Sequence, residues 1–148
     1  MSLKTQVQDD MKVAMRAREA ERLSAIRLLL AAIKQKEIDE RVELDDNGVM
    51  AVVEKLVKQR RDSARQYEEA GRPDRAASER FEIEVLSTYL PAAMDEAELV
   101  AAIESAIRQS GAAGAADMGK VMGLLKAQLT GRADMSDVSR RVRAQLVG

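Results

Sequence analysis

Apolar residues recur at intervals of three and four along most of the chain, the spacing that gathers them on one face of an α-helix. Leu23, Ile26, Leu30 and Ile33 follow it in one segment, and Phe81, Val85, Leu86 and Tyr89 in another. No stretch shows the strict alternation of a half-buried strand, so the expected fold class is all-α.

Start and stop signals cut this pattern into seven helices. Ser2 suits the N-cap of a first helix from about Leu3 to Ala17, and a second runs from about Glu21 to Arg41. Asp45, Asp46, Asn47 and Gly48 then mark a turn before a third helix, from about Val49 to Ala70. Gly71 suits the position just past a helix end, and Pro73 the first position of the next. That fourth helix reaches about Tyr89, with Phe81, Val85, Leu86 and Tyr89 expected to face inward.

Pro91 keeps Leu90 out of the α region, which makes LPAAM the expected boundary. A four-helix N-terminal subdomain, residues 1–90, precedes it, and a small three-helix C-terminal subdomain, residues 91–148, follows. There Asp95 and Glu98 form a capping-box-like start to a helix burying Leu99, Ile103 and Ile107. Asp117 is expected to cap the sixth helix and Gly131 to end it. Asp134 caps a seventh, bearing Val138, Val142 and Leu146.

Composition narrows the chemistry. Of 148 residues 46% are apolar but only 2% aromatic, so aliphatic side chains must fill the core. The chain has no cysteine and no histidine, which removes thiolate chemistry, the commonest general base and the commonest metal ligand. No serine elbow, phosphate-binding glycine loop or dinucleotide fingerprint is present. Glu82 and Glu84, two apart on a helix, point to different faces and do not converge. No catalytic residue, metal site or cofactor is therefore expected. The N-terminal segment carries acids rather than an apolar signal core, and no apolar run approaches a membrane span. The expectation is a soluble cytoplasmic protein.

A net charge of −1 conceals a basic end. Residues 117–148 carry Lys120, Lys126, Arg132, Arg140, Arg141 and Arg143 against three aspartates, whereas residues 72–116 hold twice as many acidic as basic residues. Local positive charge is the footprint of a phosphate-contacting surface. Within it, DMGKVMGLLKAQLTGRAD places Gly119 and Gly123 four apart inside a helix, where each is less favourable than alanine by roughly 1 kcal/mol. Two explanations stand: a small-residue face for close helix crossing, or a bare surface beside Lys120 for an anion. A second basic segment holds Lys58, Arg60, Arg61, Arg65 and Arg72, with Tyr67 available to stack on a base. Spacings of four link Lys58 to Glu54 and Asp62, and Arg65 to Glu69, which is also the pattern of a self-paired solvent face.

ERLSAIRLLLAAIKQKEID, VEKLVKQRRDSARQYEEAGRPD, EIEVLSTYLP, DMGKVMG and GRAD, in that order, resemble the YqeY family, related to the C-terminal tail of the B subunit of the tRNA-dependent amidotransferase. Gly119, Val121, Met122, Gly131, Ala133 and Val138 match the pattern of that tail. The sequence departs from it with Lys120 and Gly123 where the tail tends to have Gln and Lys, and with Arg132 where Lys is usual. The resemblance implies an RNA-facing appendage, and with the local positive charge it makes Gly119, Lys120, Lys126, Arg132, Arg140, Arg141 and Arg143 the candidate contacts to tRNA or a related structured RNA. The alternatives to this leading expectation are an adaptor within an amidotransferase or synthetase complex, or an accessory to carbon–nitrogen ligation with glutamine as amido donor.

Overall fold

The computed structural model describes residues 1–147. Among them are seven α-helices and one short 3-10 turn, with no strand. The order is α1 (Leu3–Arg16), α2 (Ala20–Glu40), α3 (Asp46–Glu69), α4 (Pro73–Ser87), α5 (Glu96–Ser110), the turn Ala115–Asp117, α6 (Met118–Leu129) and α7 (Met135–Val147). The chain divides into two compact units, Met1–Leu90 and a second beginning at Pro91.

In the first unit, α2 packs against α1, α3 and α4, and α3 lies along α4. Val7, Ala14, Ile26, Leu29, Ile33, Val49, Val53 and Leu86 form the dry interior, each at or near zero exposure. Polar ties fix the helix ends. Ser2 caps α1 by accepting from the Thr5 amide, and Asp45 caps α3 by accepting from the Gly48 amide. Asp46 accepts from the Leu3 amide at 2.8 Å, which joins the starts of α1 and α3. Glu37 holds Lys4 of α1 with both oxygens at 2.9 Å and also accepts from the Leu44 amide at 2.8 Å. These bonds hold the Glu37 carboxyl below the usual carboxylate range, the Lys4 hydrogen bond most of all. The buried Tyr89 donates its hydroxyl to Asp10 at 2.6 Å; burial and this bond keep the phenol protonated far above its ordinary pKa.

Two C-termini depart from expectation. After α1 the Arg18 amide donates to Met15 and the Glu19 amide to Ala14, a Schellman ending whose left-handed residue is Arg18, φ 57°. After α2 the left-handed residue is Arg41, φ 54°. The equivalent positions after α3 and α5 hold Gly71 and Gly111, which take positive φ without steric penalty.

Phe81 corrects the expected inward face of α4. It is 36% exposed, while Ile83, Val85, Leu86 and Tyr89 carry the packing. At 3.6 residues per turn Phe81 lies about 140° around the helix from Leu86, outside the buried stripe.

In the second unit α5, α6 and α7 close over Leu99, Ile103, Ala106, Val121, Leu125, Leu129, Val138 and Val142. Asp95 caps α5 by accepting from the Glu98 amide. Asp134 serves α7 similarly, accepting from the Ser136 amide at 2.9 Å. Asp117 does not cap α6: its carboxylate turns back to accept from the Ala113 amide at 2.9 Å. That bond holds the Asp117 carboxyl below its ordinary pKa and ties the α5–α6 connection instead.

Candidate nucleic-acid interface

The face of α6 that matters is the one its core residues leave outside. Val121, Leu125 and Leu129 repeat every four residues and are fully buried. About 180° away the same periodicity places Gly119, Gly123 and Ala127, all exposed. A Cβ built on Gly119 or on Gly123 would meet no other atom within 4 Å. Close helix crossing inside this unit therefore does not account for either glycine, which corrects the packing explanation for α5, α6 and α7. Both open onto solvent.

Lys120 and Lys126 flank this bare stripe on opposite sides. Lys120 lies 3.8 Å from Asp117 with its side chain 70% exposed, a loose pair in high dielectric. No described carboxylate pairs with Lys126. Ala127 completes the stripe and was missed by sequence reasoning, although its spacing of four from Gly123 was the available signal.

The other expected contacts separate into two groups. Arg141 makes a bidentate bond to Glu96, at 2.6 and 2.9 Å, and donates Nε to Asp137 at 2.9 Å. Hydrogen bonding to Glu96, then to Asp137, raises the guanidinium pKa further and lowers that of Glu96. Arg132 donates to the Ala92 carbonyl at 3.3 Å and lies 3.5 Å from Glu98. The Met94 amide donates to the Arg132 carbonyl, so this residue closes the entry to the unit. Both arginines thus hold α5 and its approach against the end of the chain. Arg140 keeps a 75% exposed side chain despite a 3.3 Å contact with Asp137, and Arg143 is exposed with no described carboxylate partner. Of the expected contacts, Lys120, Lys126, Arg140 and Arg143 therefore keep exposed side chains.

The second basic segment is largely self-paired. Arg60 donates Nε to Glu82 at 2.7 Å and bridges α3 to α4, Arg65 bonds Asp62 at 2.7 Å, and Arg72 contacts Asp74 at 3.4 Å. Arg75 stands 6.0 Å over the Tyr67 ring, so Tyr67 already has a cationic neighbour on its face. Lys58 and Arg61 remain exposed and unpaired among the described residues. These residues form no convergent site.

The described residues form an all-helical chain in which α6 presents an exposed face carrying Lys120 and Lys126. Matched over residues 4–146 by the model described as Yqey-like protein, the chain belongs to that family. It is similar to a protein named altered inheritance of mitochondria protein 41, mitochondrial, in several yeasts. Identity is 38% with that of Eremothecium gossypii, over 58% of this chain and 48% of the relative. With that of Lachancea thermotolerans it is 36%, over 68% and 55%. With that of Clavispora lusitaniae it is 39%, over 59% and 52%. The chain thus spans about half the length of the curated relatives it matches. Their names overturn the expectation of a cytoplasmic protein: relatives this similar are mitochondrial, so nothing in this sequence assigns the cytoplasm. No helix among the described residues is long and apolar enough to cross a membrane.

Proposed function

We propose that the three-helix C-terminal subdomain, residues 91–148, is a non-catalytic RNA-binding module, and that the four-helix subdomain, residues 1–90, is a separate scaffold. Its ligand is tRNA or a related structured RNA, whose sugar–phosphate backbone lies on the bare stripe of α6. Open space over Gly119 and Gly123 is the observation that carries this reading. Two glycines that weaken a helix and pack against nothing in their own unit leave room for a backbone to approach closely. Lys120 and Lys126 stand on either side to neutralise phosphates, with Arg140 and Arg143 extending the positive surface. The sequence resemblance to the amidotransferase tail supports the same ligand.

Titration with deacylated tRNA at two salt concentrations tests the proposal. Affinity should fall as salt rises, and the double change Lys120→Glu with Lys126→Glu should weaken binding and reduce the logarithmic salt slope by about 2. Binding indifferent to both salt and charge reversal would rule out the interface. Partners retained by the full chain after nuclease treatment, with no affinity for tRNA, would favour an adaptor of an amidotransferase or synthetase complex instead.

A further inference from the structure

Helix α2 carries more apolar surface than the core covers. Leu28 to Ile33 are six consecutive apolar residues, more than one face of a helix can bury. Leu29 and Ile33 enter the core, while Leu28 stays 46% exposed and Ala31 is also outside. The exposed stripe runs from Ala20 through Ser24, Leu28 and Ala31 to Ile38, which is 60% exposed. That is about 27 Å of helix, the length of a five-turn partner. At its N-terminal end Ala20, Leu23, Ser24, Arg27 and Leu28 line an open groove of about 390 Å³. Met15, 48% exposed, stands at the groove edge with its sulfur 4.0 Å from the Arg27 guanidinium.

Charge around the N-terminal end of this groove is mostly positive. Residues 12–28 carry Lys12, Arg16, Arg18, Arg22 and Arg27 against only Glu19 and Glu21, in a chain of net charge −1. Glu19 is occupied by Arg22 at 3.3 Å, and Arg16, Arg18 and Arg27 have no described carboxylate partner. Arg18 also holds the left-handed turn of the α1–α2 elbow, where glycine would be free of strain.

We propose that the outer face of α2, with the α1–α2 elbow, is a docking groove for an amphipathic helix of a partner protein whose apolar seam is flanked by carboxylates. The seam lies along Leu23, Leu28, Ala31 and Ile38, and the carboxylates meet Arg18 and Arg27. Exposed Glu21 and Asp39 on the other flank of the stripe disfavour an anionic membrane, which favours a partner helix whose carboxylates lie on the Arg27 side.

The probe is a synthetic amphipathic helix of about 18 residues with a leucine seam and glutamates beside it, titrated by fluorescence anisotropy into the full-length chain. A peptide of the same seam with lysines for glutamates and vesicles of anionic phospholipid are the comparisons. The glutamate peptide should bind at least tenfold tighter than the lysine peptide. Leu28→Asp and, separately, Arg27→Glu should each weaken it at least tenfold while helical circular dichroism is unchanged. Equal affinity for the two peptides, indifference to both substitutions, or binding to vesicles alone would overturn the proposal. So would concentration-dependent self-association abolished by Leu28→Asp, which would assign the face to a second copy of the chain.

Discussion

Gly119 and Gly123 show how a residue identity that weakens local structure can be read once its surroundings are known. Gly123 lies in the interior of α6 and Gly119 in its first turn, and neither has anything within 4 Å of a Cβ position. Alanine at both should therefore stabilise the second unit, by about 1 kcal/mol at Gly123 and by less at Gly119, because helix propensity improves and nothing is displaced. A thermal melt of Gly119→Ala/Gly123→Ala should show a raised Tm together with weaker tRNA binding; a lowered Tm would return the glycines to a packing role. Arg18 is the converse case, a left-handed residue with a side chain. Arg18→Gly should raise stability by as much as about 1 kcal/mol by removing the Cβ–carbonyl crowding of that conformation. Urea unfolding would measure it, and a loss of stability would mean that the arginine contributes to the fold. Neither reading was available from the sequence alone. The glycines had two explanations until the space above them was known, and arginine carries no signal for a left-handed helix end.

Elements were legible where their ends use local chemistry. Ser2, Asp45 and Asp95 accept from amides three residues on, and Gly71 and Pro73 separate α3 from α4 as their backbone preferences dictate. Legibility failed where a side chain acts at long range or against its usual role. Asp117 resembles a cap in sequence, yet serves the preceding connection. Phe81 sits within the helical spacing but on the flank of α4. Glu37 gave no signal, because its partner Lys4 lies 33 residues away. Yet Glu37 ties α1 to α2 and to the segment entering α3, and its folded-state pKa is depressed. A depressed carboxylate stabilises the fold above its unfolded pKa, near 4.5, and loses that contribution as pH falls through the folded value. Glu37→Gln should therefore lower Tm at pH 7, with the difference from the unaltered chain shrinking as pH falls below about 4.5. A difference constant from pH 7 to pH 3 would show that the charge of Glu37 contributes nothing to these ties.

At the scale of the whole molecule, the two units have hydrophobic cores with no residue in common. The chemistry assigned to them also differs: the second unit presents a bare cationic helix face, and the first an apolar groove rimmed by arginines. This division has physical support in the roles of Arg132 and Arg141. Both were candidates for RNA contact, yet both are bound to Glu98 or Glu96 within the second unit, so part of its positive charge holds the unit together. Charge reversal at Arg141 would consequently confuse unfolding with loss of contact, whereas Lys126 has no such tie. The separateness of the cores is itself testable. Leu125 is fully buried among the residues of the second core, and truncation to alanine there should cost about 2–5 kcal/mol. Hydrogen exchange followed by mass spectrometry on Leu125→Ala should show faster exchange throughout α5, α6 and α7, with α1 to α4 unchanged. tRNA affinity should fall with it, while binding of the acidic amphipathic peptide persists. Equal loss of protection in α1 to α4 would mean that the chain unfolds as one cooperative body, and the assignment of two independent binding surfaces to two independent units would fail with it.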